Sequence, residues 1–273
     1  MIPVNRGAEP TSLPPIRAAK LAELRALGRK LISADFKGYE IVKPELWIAQ
    51  HYKCCFCEHK IARSYNAVEH YRPKVGADRR PGSLQNHGYW WLAFTWDNLL
   101  LACPICNSSA KGIQFPLEIG STPLQAEQTP PEGEQALLLD PAGNLNPVAH
   151  IVFENEAKGG PGTPAYWWAK PRDGSRFGQY TIDICKFNHP EFRELRNDHF
   201  RTVILAHVLV LQAALASRKV KLAKAEFERA LALLRPENVY VALNYDAFRQ
   251  YIPDAQLQAV IKKSWPQPDQ VGR

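Results

Sequence analysis

Two Cys-x-x-Cys pairs constrain this chain more than any other feature: Cys54-Cys55-Phe56-Cys57 and, well downstream, Cys103-Pro104-Ile105-Cys106. Two intervening residues let a tight turn aim both sulfurs inward, so two pairs can bring four thiolates to a tetrahedral Zn²⁺ at ~2.3 Å each. A closed four-sulfur site keeps no open position for water and is structural rather than catalytic. Any fold must then carry residues 54–57 to residues 103–106. Each pair alone admits another reading. Cys103 follows the apolar run Leu99-Leu100-Leu101-Ala102 and fits a buried thiol, and a single pair fits a redox site. The two together select zinc. Cys54, not Cys55, keeps the two-residue spacing, which leaves Cys55 and Cys185 as packed thiols.

Composition bears on the compartment and the partner. The 273 residues are 45% hydrophobic and 22% charged, enough for one large or two modest globular cores and against wholesale disorder. A formal net charge of +7 suits a polyanionic partner without identifying one. No run approaches the ~20 consecutive apolar residues of a membrane span, and residues 1–15 lack the apolar core of a signal peptide. A cytoplasmic protein without membrane contact is expected, a setting in which cysteines hold metal or pack as thiols.

Between and after the cysteine pairs lie Glu69-His70-Tyr71-Arg72-Pro73-Lys74, Asn98, Asn107 and Lys111. Hydrolysis of a phosphodiester needs a base for water and a divalent cation for the developing negative charge. A neutral His70 imidazole can take the proton. Glu69 and Asn107 offer the hard oxygens that Mg²⁺ prefers, and Asn98 offers an amide to orient the loop or the imidazole. Arg72, Lys74 and Lys111 crowd the same region, a credible track for a nucleic-acid strand, although a charge run is usually a solvated face. The aromatic run Tyr89–Trp96 is read as core before it is read as a base-stacking surface.

In this order and with these types, the residues resemble the ββα-metal module of HNH endonucleases. The resemblance implies that Glu69 and Asn107 hold a catalytic Mg²⁺ or Mn²⁺, that His70 is the general base, that Asn98 braces the loop, and that Lys111 touches phosphate. Two positions depart from the commonest pattern: Asn107 stands where a third-position His is frequent, and Glu69 where Asp is. Farther on, Leu137-Leu138-Leu139-Asp140-Pro141, His150, Phe153, Gly178-Gln179-Tyr180-Thr181-Ile182 and Phe187-Asn188-His189-Pro190 look like the downstream region of PtuB-type HNH proteins. Those proteins belong to Septu and retron-associated anti-phage defence systems. That likeness implies a PtuA-type ATPase partner and nucleic acid, DNA before RNA, as substrate.

The expected fold class is α+β, a zinc-stapled ββα-metal module with a helical N-terminal region and a largely helical C-terminal one. The segments drawn are 1–43, an arm and amphipathic helix over Ile16–Ile32; 44–118, the HNH module; 119–187, a linker and short strands; and 188–273, helices. The rival readings are a zinc-stabilised nucleic-acid-binding or adaptor protein without cleavage activity, and a nuclease that cuts RNA, tRNA included.

Overall fold

The computed structural model describes residues 1–64, 66–80, 83–85, 87–158 and 165–273, and at 80 and 83–85 the backbone alone. It is a mixed α+β protein whose sheets are small and antiparallel, and it divides into two compact units, residues 4–144 and residues 1–3 with 145–273.

In the first unit α1 (Leu13–Ala26) opens on Pro14-Pro15, where the missing N–H is one that a first helical turn leaves unpaired anyway. Leu13 and Leu24 are its buried residues. The leucine spacing predicts a helix to Ile32, but this one ends at Ala26. Gly28 takes φ +60° just past the C-cap Leu27, the left-handed exit that glycine permits without steric cost, and the chain turns away. A second short helix, α2 (Lys43–Ala49), follows.

Among the described residues, four strands complete this unit: β1 (Ala67–His70), β2 (Ala77–Arg80), β3 (Ser83–Gln85) and β4 (Leu99–Ala102). β1 pairs with β4, Ala67 opposite Ala102 and His70 opposite Leu99, while β2 and β3 pair with each other. All four residues of β4 are buried, as an apolar run enclosed on both faces requires. From the run 89–96, Tyr89, Trp91, Phe94 and Trp96 are buried, so most of these rings are core.

The edge of β4 away from β1 is closed by side chains rather than by a strand. Gln50, which is buried, accepts from Leu101 N at 2.7 Å and donates to Leu101 O at 2.7 Å. Cys55 N donates to the same carbonyl at 3.1 Å. One amide thus completes the backbone hydrogen bonding of a buried strand and sets the first cysteine pair beside the second. The Pro- and Gln-rich stretch 120–134 has no regular element but is anchored: the buried Glu134 accepts from Arg72 Nε at 2.8 Å, Tyr89 OH at 2.6 Å and Leu124 N at 3.1 Å.

The second unit carries the hairpin of β5 (Ile151–Ala157) and β6 (Ala165–Pro171), paired from Ile151 opposite Pro171 to Ala157 opposite Ala165. Six helices follow: α3 (Arg176–Ile184), α4 (Pro190–His199), α5 (Leu205–Ala216), α6 (Val220–Ala232), α7 (Val241–Tyr251) and α8 (Asp254–Ile261). Asp246 on α7 is paired with Arg172 and accepts from Phe153 N at 2.8 Å, which pins that helix to the hairpin. α4 and α5 join through a π-helical turn into one helix, Pro190–Ala216, of 27 residues, long and apolar enough by length and composition to cross a membrane. Its first half carries Glu191, Arg193, Glu194, Arg196 and Asp198.

Gln50→Leu leaves Leu101 N–H buried without an acceptor, and the fold should lose about 1–3 kcal/mol. Urea denaturation checks this: the midpoint falls at an unchanged slope. A variant as stable as the parent would refute the bracing role.

Candidate metal centre and active site

The four cysteines of the two pairs meet. Their sulfurs all lie within 4.8 Å of one another, and Cys57 Sγ is 3.8 Å from Cys103 Sγ. A tetrahedron with ~2.3 Å metal–sulfur bonds has edges of roughly 3.8 Å, so the cluster is dimensioned for zinc. Local structure places it. Glu58, at φ +61°, donates its N–H to Cys54 O at 3.1 Å and so closes the turn around the first pair. Cys103 directly follows β4, and Cys106 sits in the π-helical segment Ile105–Lys111 just beyond it. Cys103 N donates to Cys54 Sγ at 3.3 Å. Burial opposes ionisation of Cys54, yet the thiols of Cys103, Cys106, Cys55 and Cys57 together hold its pKa well below the ordinary thiol value. Cys103 is lowered as well, while the same neighbours push Cys57 and Cys106 up, so the four thiols share the thiolate character that metal binding needs unequally. Four close cysteines, three of them buried, can hold a structural zinc ion.

Glu69 and His70 are the last two residues of β1, opposite Leu100 and Leu99, and both are buried. The end of this four-residue strand thus supplies an acid and an imidazole side by side in sequence, and the Lys74 charge acts on both. Glu69 Oε1 is 2.6 Å from Lys111 Nζ in a fully enclosed ion pair, and the same ammonium donates to His70 O at 3.0 Å. Burial raises the Glu69 pKa, with Lys111 and Lys74 pulling the other way.

His70 Nε2 lies 2.9 Å from Ala93 O. A carbonyl only accepts, so Nε2 carries the proton and Nδ1 holds the lone pair of the neutral ring. Lys74 Nζ is 3.4 Å from that Nδ1, and the ring of Tyr39 packs edge-on with centroids 4.5 Å apart. Burial, then the Lys74 charge, push the His70 pKa well below the ordinary value, which keeps the imidazole neutral near pH 7.

Asn98 is buried and grips the turn after β1. Its Oδ1 accepts from Arg72 N at 2.7 Å, and its Nδ2 donates to Arg72 O at 3.1 Å and to Leu92 O at 3.2 Å. Asn107 lies on the same helical segment as Lys111, which is wound with the i→i+5 bond Gly112 N to Asn107 O, so the two are about one turn apart. Among the described residues no hydrogen bond joins its side chain to Glu69. Glu69, His70, Lys74 and Lys111 therefore form one contact group. Arg72 is turned instead to Glu134 and over the rings of Tyr71 and Phe115. Sequence reasoning misses the Ala93 carbonyl, which is backbone, and Tyr39, which sits in no motif.

Fold and site define a small α+β module tied by a four-cysteine cluster able to hold zinc. No family model matches the chain, and no solved structure matches it. It is 33% identical over 233 residues to the Septu protein PtuB of Bacillus mycoides (strain KBAB4), an alignment that covers 81% of this chain and 74% of that protein. The chain belongs to the PtuB family of Septu proteins.

Elemental analysis of purified protein should find one zinc per chain. Cys57→Ser and Cys103→Ser should each lower zinc content and the melting temperature together, because a metal bound only by the folded chain adds its binding free energy to folding. Well-folded parent protein without zinc would overturn the assignment.

Proposed function

We propose that this chain is a metal-dependent HNH endonuclease, the cytoplasmic effector of an anti-phage defence system that works with a PtuA-type ATPase. Its substrate is nucleic acid, DNA in the first instance. The observation that carries this reading is the pairing of a fixed His70 tautomer with a buried carboxylate on one strand. That strand is hydrogen-bonded to β4, which leads through Cys103 directly into the helical segment bearing Asn107 and Lys111.

His70 Nδ1 takes the proton from the attacking water. The Nε2–H bond to Ala93 O keeps the ring in the tautomer that allows this, and Asn98 holds the loop that follows. Lys74, beside Nδ1, offers a cation to the scissile phosphate. Glu69 and Asn107 supply the oxygens that would hold Mg²⁺ or Mn²⁺, and that ion supplies charge stabilisation at the phosphate. The donor types fit such an ion. Lys111, enclosed against Glu69, serves as the carboxylate's counter-charge rather than as an outward phosphate contact.

The same ion pair favours a second reading, a zinc-stabilised nucleic-acid-binding or adaptor protein, because a carboxylate already neutralised by a buried lysine needs no further cation. Cleavage assays on plasmid, phage DNA and total RNA, with and without the ATPase, decide between the two. Under the nuclease reading His70→Ala lowers cleavage at least ~100-fold while zinc content and folding stay unchanged. Equal activity in variant and parent would end the assignment of His70 as base.

The two metals should also separate. Dialysis against a mild chelator should silence cleavage reversibly and leave the zinc in place, since an ion with few protein ligands keeps its waters and binds weakly. Asn107→Ala should raise the Mg²⁺ concentration required. Full-rate cutting by zinc-replete protein stripped of other metal would rule out this mechanism.

A further inference from the structure

A groove of about 580 Å³ lies between the end of α1 and the backbone around Lys74 and Trp90. Arg25, Arg29, Lys30, Lys74 and His87 line it, and among the described residues none of its lining side chains is acidic. In a chain with 34 basic and 27 acidic residues this is a marked local imbalance. Arg25 is paired outside the groove with the exposed Glu127, a pair weak enough for a phosphate to displace. Arg29 is held more firmly, by two hydrogen bonds to Asp35, which leaves Lys30 and Lys74 as the groove's available cations.

Between the cations sits Trp90, half-buried beside Trp91 with ring centroids 6.1 Å apart. Its position is imposed by Gly88, where a Cβ would come within 2.6 Å of backbone atoms of Lys74, Val75 and Gly76. Only glycine lets this backbone close on residues 73–76, through Gly88 N to Val75 O at 3.1 Å and Tyr89 N to Pro73 O at 2.8 Å. One residue links the groove to the candidate active site: Lys74 lines the groove and its Nζ lies 3.4 Å from Nδ1 of the buried His70.

We propose that this groove binds an unpaired stretch of a nucleic-acid strand. A base lies on Trp90, the phosphates lie along Lys30 and Lys74, and the neighbouring phosphodiester is delivered to His70. The inference rests on the reading of the module as acting on nucleic acid. Cations interleaved with an aromatic ring are the chemistry of single-strand binding, since every base has a face to stack and every linkage a charge. A paired base presents no free face, and a duplex meets such a groove only with its backbone.

The test is fluorescence anisotropy with labelled oligothymidine, oligouridine and a duplex of equal length, using full-length protein in chelator so that nothing is cut. Expected are a single-strand preference, about ten-fold weaker binding for Trp90→Ala with near-parental binding for Trp90→Phe, and a salt dependence shallower by about 0.7 for the exposed Lys30→Ala. Oligodeoxyuridine set against oligouridine, which differ only in the 2′-hydroxyl, reads the sugar preference. Zinc content and circular dichroism confirm that each variant folds. Parental affinity in both Trp90→Ala and Lys30→Ala overturns the groove, as does polyglutamate of equal charge competing as well as the oligonucleotide. The Mg²⁺-dependent cleavage assay separates the two claims. Cleavage by the parent with groove-independent binding removes the groove alone, and groove-dependent binding without cleavage removes the nuclease alone.

Discussion

The meeting of four cysteine sulfurs is the contact on which the first unit depends. The ladder between β1 and β4 is four residues long, too short to stand alone. β4 is held on its other edge by Gln50 and Cys55 and at its end by Cys103. The second pair spans the change from extended strand to helical segment, so closing the cluster fixes the direction in which Ile105–Lys111 leaves the sheet. That direction brings Lys111 beneath β1 and against Glu69. The thiol cluster and the acid–imidazole pair are thus joined through one stretch of chain, β4 and the helical segment after it.

Charges inside this unit follow the same logic. Glu69 with Lys111, and Glu134 with Arg72, are enclosed pairs. Burying such a pair adds little net stability, while removing one partner strands the other. Their effect is on position. Glu134 draws the irregular stretch 120–134 onto Tyr89 and Arg72, and Asn98 holds the backbone of Arg72 from the other side. The turn after His70 is gripped between these contacts, so the imidazole stands on a rigid base.

What could be read in advance was chemistry carried by residue type and spacing. The two Cys-x-x-Cys pairs point to a site able to share a metal because two such intervals can bring four thiols together, and the burial of β4 follows from its unbroken apolar run. The aromatic run also reads as core, with Trp90 the ring left half-exposed. Unreadable were contacts whose partner is backbone or whose direction depends on the fold. The Ala93 carbonyl sets the His70 tautomer without any side-chain signature. Lys111 counts in the sequence as one more cation near a phosphate track, and only the winding of its helical segment turns it inward. The leucine period runs past Ala26, while one positive-φ glycine ends the helix.

The Glu69–Lys111 pair also bears on what kind of cation this centre would take. Burial alone would push the Glu69 carboxyl toward its neutral form; the ammonium at 2.6 Å and Lys74 pull toward the ionised one. Burial outweighs both, so the Glu69 carboxyl stands above its ordinary pKa in a place where water cannot stabilise its charge. If Glu69 holds a divalent ion, as proposed, that ion would stand beside the fixed positive charge of Lys111. Repulsion from that charge weakens any ion that must shed its waters to bind. It costs less to one that keeps its hydration shell and uses a single protein oxygen, as Mg²⁺ does. Under the proposed nuclease reading an ammonium at this point favours loose, exchangeable occupancy, in contrast to the four close sulfurs of the cysteine cluster.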